Sequence, residues 1–293
     1  MKNHDRFRKL CLRFRICTTL IALFAAAASL SLVALRLSTG AAAAEDDGIR
    51  LPVLMYHAII SDPSRAGEYV ITPEAFRRDM EYIRSEGYET VVMDDLIAYV
   101  RSGASLPDKP IMITLDDGYY NNYLYAYPVL KELGMRAVLS VIGVEADRYT
   151  NEPDLHESYA HCNWDVLREM SDSGVIELQN HSYDLHHIHK GYMGAGKKSG
   201  EEITAYRARL FTDLSRMQNR FSDELGFVPN TFTYPFGSAP ADSAAVLAEL
   251  GFLASLGTEG KTAVISRDQS CLELIPRYNR PASRSAESIL KKA

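Results

Sequence analysis

The chain has 293 residues, of which 46% are hydrophobic and 24% are charged, and its formal net charge is −6 at pH 7. This length and apolar content suffice for one large globular domain with a sizeable core. An excess of acidic residues repels phosphate groups, so the composition argues against nucleic acid as a partner and leaves neutral or cationic polymers as suitable ones.

The N-terminus carries the features of an export signal. Basic residues are concentrated in the first fifteen positions, and an uncharged apolar stretch follows over residues 16–35. This stretch is longer than in most cleaved signal peptides and close to the length that spans a bilayer. We therefore predict that residues 1–44 are either a signal peptide, cleaved after the small residues at 42–44, or a membrane anchor through residues 16–35. In both cases residues 45–293 lie outside the cytoplasm, secreted or anchored to the outer face of the cytoplasmic membrane.

Short apolar runs alternate with amphipathic stretches from Leu51 onward, which predicts an α/β fold with a parallel barrel. Most of the runs are continuously apolar, as in strands that are buried on both faces. Strands are predicted at residues 53–56, 90–93, 111–115, 137–142, 175–178, 231–234, 252–255 and 272–275. Helices are predicted from 73 to just before Gly87, and at 94–101, 125–133, 164–170, 201–225 and 242–250, with a long surface loop at 145–162.

Reactive side chains follow several of the predicted strands, at the end where the active sites of parallel barrels lie. They are His57 after the first strand, Asp116 and Asp117 after the third, His181 and then His186 after the fifth, and Arg277 after the last. Each of these residues alone is common without a function, and only their convergence on one rim indicates a site. One carboxylate and two imidazoles leave open positions for water on a divalent ion, and the second carboxylate can accept a proton from that water.

Two segments carry a resemblance to a known family. Residues 114–119, Thr-Leu-Asp-Asp-Gly-Tyr, resemble the first motif of the NodB homology polysaccharide deacetylases, carbohydrate esterase family 4. Residues 181–186, His-Ser-Tyr-Asp-Leu-His, resemble the second motif, although its histidines usually lie four positions apart rather than five. The longer spacing is similar to that of the branch containing the biofilm poly-N-acetylglucosamine deacetylases, and His187 and His189 are the alternatives to His186. The family implies a distorted, incomplete (β/α) barrel of seven or eight parallel strands over residues 45–293.

The sequence departs from the family pattern at two places. Residues 232–237 resemble the third motif, but Thr233 stands where the family has an arginine that orients the catalytic aspartate. Arg277 is the candidate substitute, and a surface charge at a strand end is the alternative for this residue. The histidine of the fifth motif is missing because no histidine follows His189. In the biofilm branch a histidine on the first strand serves instead, and His57 matches that placement.

The resemblance implies a role for each of these residues. The catalytic residues are the general base Asp116, the general acid His57 and the orienting residue Arg277. Zn²⁺ or another divalent transition metal is held by Asp117, His181 and His186. Contacts to substrate are expected from Tyr119, Pro235, Phe236 and Trp164, with core packing as the alternative for Trp164. The backbone N–H of Phe236 is expected to donate to the oxyanion.

The implied function is metal-dependent removal of N-acetyl groups from an extracellular or cell-wall polymer of the poly-N-acetylglucosamine or peptidoglycan type, by a monomeric enzyme. The alternatives are a catalytically inactive glycan-binding barrel and a metallohydrolase that acts on another amide. The intact aspartate and histidine motifs argue against the inactive barrel. Cys162 and Cys271 are expected either to form one disulfide bond or to remain isolated thiols.

Overall fold

A curled sheet of parallel strands forms the centre of the computed structural model, which describes residues 48–293. The strands are β1 (Ile49–Leu51), β2 (Val53–Tyr56), β3 (Ala58–Ile59), β4 (Val70–Ile71), β5 (Glu89–Thr90), β6 (Pro110–Leu115), β7 (Ala137–Val141), β8 (Ile176–Asn180), β9 (Ile188–His189), β10 (Tyr192–Met193), β11 (Thr231–Thr233), β12 (Ala254–Leu256), β13 (Ala263–Ile265) and β14 (Tyr278–Asn279). The central sheet has the order β12-β11-β8-β7-β6-β2-β14, and β5 pairs with the start of β6. The predicted fold class, a distorted and incomplete barrel of seven or eight parallel strands, is confirmed.

The long central strands are buried along their whole length. Every residue of β2, β6 and β7 is buried, which explains why these segments read as continuous apolar runs. In the register of the pair, Tyr56 at the end of β2 lies beside Leu115 at the end of β6. The residues that follow these two strands therefore emerge at the same edge of the sheet.

Eight α-helices are assigned within residues 48–293. They are α1 (Pro73–Ser85), α2 (Met93–Ser102), α3 (Tyr127–Leu133), α4 (Gly143–Asn151), α5 (Trp164–Asp172), α6 (Ile203–Leu225), α7 (Ser243–Glu249) and α8 (Ala286–Leu290). The start of α1 is as predicted, because the Thr72 hydroxyl accepts a hydrogen bond from the N–H of Ala75 and Pro73 occupies the first turn. A π-helical segment over Asn122–Ala126 precedes α3.

The predicted strand at residues 272–275 is wrong. A 3-10 helix covers Gln269–Leu272, and Leu274 has a φ of 52°, which lies in the left-handed region and interrupts an extended chain. Ile275 forms an isolated parallel bridge with Leu256, and Tyr278 in β14 pairs with Leu54 of β2. The segment therefore contacts both edges of the sheet and narrows the gap in the barrel.

The surface loop predicted at residues 145–162 is also partly wrong, because α4 continues to Asn151. The buried residues of α4 are Gly143, Ala146 and Tyr149, which repeat at helical spacing but include only one large side chain. So small an apolar face gives too weak a periodicity to be recognised in the sequence. Cys162 is buried and Cys271 is partly buried, and both are free thiols, so the disulfide alternative is wrong.

The predictions for the N-terminal segment fall outside the described residues. These are the signal peptide or anchor over residues 1–44 and the apolar stretch at 16–35. Within residues 48–293, none of the helices has the length and apolarity that crossing a bilayer requires.

Candidate active site

A cleft of about 630 Å³ opens at the carboxyl ends of the central strands, and its volume lies within the range of ordinary ligand sites. The wall includes the histidine that follows β2, the aspartate pair that follows β6, and the first and last residues of the segment that follows β8. These wall residues are His57, Asp116, Asp117, His181 and His186. The structure therefore brings together five of the six residues that the sequence placed at strand ends.

Asp116 is held by a buried arginine fork. Nη1 and Nη2 of Arg277 donate to the two carboxylate oxygens of Asp116 at 2.7 and 2.9 Å, and Nε donates to the carbonyl oxygen of Gly257. Burial alone would raise the pKa of Asp116, but the charges of Arg277 and His181 and the hydrogen bonds from Arg277 outweigh burial and lower it. Asp116 is therefore ionised at neutral pH, as a general base must be.

Arg277 is not the surface charge that the sequence left as an alternative. Its side chain is 0% exposed, and it precedes β14 instead of following a strand. A planar guanidinium that makes two parallel bonds fixes the carboxylate plane as well as its charge. Thr233, at the position where the family pattern has its arginine, instead exchanges a 2.7 Å hydroxyl hydrogen bond with Ser140.

Asp117 and two histidines form a second group in the cleft. Nε2 of His181 and Nε2 of His186 lie 3.4 and 3.2 Å from Oδ1 of Asp117. That oxygen is buried and has no hydrogen-bond partner. Nδ1 of His181 lies 2.8 Å from the carbonyl oxygen of Thr233, and because a carbonyl only accepts, Nδ1 carries the proton. In the neutral form of His181, which is the form that binds a metal, the lone pair of Nε2 therefore faces Asp117.

This donor set fits a divalent transition metal. The three ligand atoms lie within 4.8 Å of one another, and one carboxylate with two imidazoles is a common set for hydrolytic metals. Burial lowers the pKa of His186 to about 4, so its imidazole is neutral at pH 7 and able to bind a cation. Burial would also lower the pKa of His181, but the close approach of Asp117 and the charges of the two aspartates raise it. The negative field that attracts a proton there also attracts a metal cation.

The alternative ligands do not reach this group. His187 is exposed, and its Nε2 lies 2.8 Å from Oδ1 of Asp184. His189 is an exposed residue of β9 and stacks against Tyr192. The structure therefore brings His186 to Asp117, and it leaves His187 and His189 outside the group.

His57 lies directly after β2 and forms another part of the cleft wall. Its ring packs edge to face against Tyr69, and its carbonyl oxygen accepts a 2.8 Å hydrogen bond from the side-chain amide of Asn122. The charges of Asp116 and Asp117 favour the protonated form of this imidazole. Burial instead lowers the pKa of His57, by more than Asp116 and Asp117 raise it. The imidazole is therefore mostly neutral at pH 7.

Two of the four residues predicted to bind substrate line the cleft. Tyr119 stacks on His161, and burial followed by the charge of Asp117 raises the pKa of its hydroxyl. Phe236 is 39% exposed and has a φ of 58°, and its ring lies 4.3 Å from that of His186. As the second residue of a 3-10 helix, Phe236 has an N–H without an intrahelical acceptor.

The other two predicted substrate contacts are not supported. Pro235 is buried and is not among the residues that line the cleft. Trp164 is 1% exposed and packs edge to face on Phe221, and its indole N–H donates to Asp147 at 2.7 Å. A side chain enclosed in this way cannot stack on a sugar, so Trp164 has the packing role that the sequence left as its alternative.

Three apolar residues at the mouth of the cleft were not found from the sequence. Tyr69, Ile188 and Met193 are 56%, 71% and 43% exposed, and all of them line the cleft. Tyr69 precedes β4, and the other two belong to the β9–β10 hairpin. A single apolar residue in a short polar segment has no periodicity, so the sequence offered no signal for them.

Comparisons with known proteins indicate the family to which this chain is similar. A family model described as polysaccharide deacetylase matches residues 103–255. The poly-beta-1,6-N-acetyl-D-glucosamine N-deacetylase of Escherichia coli K12 is 25% identical over 239 residues, which cover 75% of this chain and 35% of that protein. The chain thus spans about a third of the length of this relative. The enzyme of the same name from Staphylococcus aureus N315 is 23% identical over 66% of this chain and 62% of its own length.

Solved structures have the same fold. The deacetylase domain of BpsB from Bordetella bronchiseptica is 26% identical, with a TM-score of 0.65 over 80% of this chain and 96% of that domain. A de-N-acetylase from Aggregatibacter actinomycetemcomitans is 22% identical, with a TM-score of 0.70 over 84% of this chain and 100% of that one.

Proposed function

Because the chain belongs to the polysaccharide deacetylase family, we propose that it hydrolyses N-acetyl groups of a poly-N-acetylglucosamine polymer, the substrate named for its relatives in E. coli and S. aureus. The observation that carries this proposal is the pairing, in one cleft, of an arginine-bound aspartate with an Asp-His-His group. The first can accept a proton, and the second can hold a cation beside it. The inactive barrel has no such support, because none of these groups is lost.

In this proposal, Asp117, His181 and His186 hold Zn²⁺ or another divalent transition metal. When bound, such an ion polarises the acetyl carbonyl and lowers the pKa of water to about 7. The hydrogen bond from His181 to the carbonyl of Thr233 fixes the ring orientation in which Nε2 faces the site.

Asp116 then accepts the proton of the attacking water, and Arg277 keeps its carboxylate ionised and oriented. The N–H of Phe236 donates to the oxyanion of the tetrahedral intermediate, a contact that is typically worth about 3 kcal/mol. Collapse of the intermediate expels an amine, which must be protonated as it leaves. His57 is the proton donor in this scheme, and because its pKa is lowered, the protonated form is a minor one at neutral pH.

We place this reaction outside the cytoplasmic membrane, because a basic N-terminus followed by the apolar residues 16–35 directs export. The protein acts there as a monomer that is either secreted or anchored through residues 16–35. Its acidic surface suits a polymer that becomes cationic as acetyl groups are removed.

Acetate release from three purified polymers tests the proposed substrate. We expect acetate from poly-β-1,6-N-acetylglucosamine, and slower or no release from peptidoglycan and from chitin oligomers. The amount of acetate should equal the amount of new free amine. If none of the three polymers releases acetate above a blank without protein, the proposed activity is wrong.

The metal group is tested by replacing one histidine that belongs to it and one that lies outside it. His181→Ala should abolish stoichiometric binding of Zn²⁺, because it removes one of three ligands and leaves a buried carboxylate facing one imidazole. His187→Ala is the matched control, since His187 is exposed and lies outside the group, and it should bind about one equivalent. Equal metal content in the two variants would show that the ligands lie elsewhere.

A further inference from the structure

The segment between the two proposed metal histidines, residues 182–185, has no regular secondary structure. Each of its backbone N–H groups donates to a side chain. The N–H of Ser182 donates to Oδ1 of Asn180 at 2.7 Å, and the N–H of Leu185 donates to the hydroxyl of Ser182 at 3.1 Å. The remaining two, on Tyr183 and Asp184, donate to the two carboxylate oxygens of Asp213, both at 2.8 Å.

Asp213 lies in the middle of α6 and is partly buried. Burial raises the pKa of its carboxyl, although the two backbone N–H groups lower it. The fold thus holds this carboxylate in an environment that disfavours its charge. Both of its oxygens accept hydrogen bonds from the segment of residues 182–185. Asp213 is not part of the cleft wall and makes no hydrogen bond or ion pair with His181 or His186, so we expect its effect on the site to pass through the backbone.

The two histidines differ in how they are held. His181 follows β8 directly, and its ring is fixed by the hydrogen bond to the carbonyl of Thr233. Apart from Nε2, which lies 3.2 Å from Oδ1 of Asp117, the His186 imidazole has no hydrogen-bonding contact with the described residues, and its close ring neighbours are His181 and Phe236. Its position therefore depends on the backbone that leads to it.

That backbone is in an unfavourable conformation. Ser182 has a φ of 72°, in the left-handed region that residues other than glycine rarely adopt, and such a conformation persists only where its surroundings hold it. The carbonyl oxygens of Ser182 and Tyr183 accept hydrogen bonds from the N–H groups of Gly143 and Val144 at the start of α4. Asp213 holds the opposite, N–H side of the same segment.

We propose that Asp213 is a positioning residue that sets the separation of His181 and His186, and through it the affinity of the Asp-His-His group for a divalent metal. This inference rests on the proposed metal site. In this inference Asp213, which lies on α6 and 27 positions after His186 in the chain, orients His186 through the backbone. The hydrogen bond to the carbonyl of Thr233 orients the ring of His181 directly.

Asp213→Asn is the first test, carried out on the full-length chain. The side-chain amide retains one acceptor, but its NH₂ group faces the second backbone N–H, so the segment must shift. We expect the Kd for Zn²⁺ to rise about 10–100-fold, as is usual when a group supporting a metal ligand is lost. The visible absorption spectrum of the Co²⁺-loaded variant should also change, because it reports ligand geometry directly.

Asp223→Asn is the matched control, because Asp223 lies on the same helix and is exposed. It should keep the Kd and the Co²⁺ spectrum of the unmodified chain. Asp213→Ser serves as a second variant, since its small side chain admits water to the two N–H groups without opposing them. It should also bind metal more weakly, with a smaller loss of Tm than Asp213→Asn.

A folded Asp213 variant with an unchanged Kd and Co²⁺ spectrum would overturn the inference and leave the proposed function intact. If the proposed metal site itself is wrong, His181→Ala should bind as much metal as the unmodified chain. This result distinguishes failure of the proposed site from failure of the inference about Asp213. Weaker binding in both Asp213 variants, with normal binding in Asp223→Asn, supports the positioning role.

Discussion

Asp116→Asn should lower the rate of acetate release by about 10²–10⁴-fold, the usual contribution of general acid–base catalysis. An asparagine amide has nearly the shape of the carboxylate but cannot accept the water proton. Metal content should stay at the level of the unmodified chain, because the three proposed ligands are untouched. Acetate release and metal content are measured on the same preparations.

The substitution also leaves Arg277 buried without an anionic partner, which costs up to about 3–5 kcal/mol of stability. Asp79→Asn provides a control for that cost, since Asp79 forms another buried aspartate–arginine pair, with Arg280 at 2.6 Å. It should destabilise the protein to a similar extent and retain activity well below its Tm. Comparable activity losses in the two variants would mean that Asp116 acts through stability and is not the base.

His57→Ala should lower the rate on N-acetyl substrates by about 10²–10⁴-fold and the rate on an activated acetate ester far less. The amine expelled from an amide must be protonated, whereas an activated alcohol leaves without help. His189→Ala is the control, because His189 is exposed and lies outside the Asp-His-His group. Equal losses on the amide and the ester would show that His57 supports the fold or the metal group instead of donating a proton.

The pH dependence of the same two substrates gives an independent check on His57. Because the pKa of His57 is lowered from its ordinary value near 6.5, the protonated fraction is small at pH 7 and grows as the pH falls. The ratio of the amide rate to the ester rate should therefore increase from pH 8 to pH 6, since the requirements for base and metal are common to both rates. In His57→Ala the ratio should be independent of pH.

The sequence predicted the parts of the fold that depend on local pattern. The buried strand β2 was predicted at its observed bounds, and β6 within one residue, because strands covered on both faces are continuously apolar. The run at 272–275 is apolar at three of its four positions, and Leu272 and Ile275 are both buried. The positive φ of Leu274 ends the extended chain there, and the residue types in the run do not predict this conformation.

The site residues that directly follow strands could be predicted from the sequence. The contacts between side chains that lie far apart in the sequence could not. The Asp116–Arg277 pair joins residues 161 positions apart, so the sequence alone left open whether Arg277 is a surface charge. Trp164 was proposed for sugar stacking because its indole is large and close in sequence to the histidines, but its partners lie on α4 and α6. Asp213 resembles any polar residue of an amphipathic helix, and only the structure shows which N–H groups it meets.

The contact of residues 275–279 with both edges of the sheet has a consequence for the order in which the site matures. His57, both aspartates and the two proposed metal histidines come before residue 187, whereas the arginine that pairs with Asp116 belongs to the last segment of the sheet to be synthesised. A chain that ends at α7 contains the Asp-His-His residues but lacks the arginine that pairs with Asp116. Because the charge of Arg277 lowers the pKa of Asp116, loss of this arginine raises that pKa and reduces the ionised fraction of the proposed base. We therefore expect damage to the docking of the C-terminal segment on β2 to impair the proposed base before it impairs metal binding.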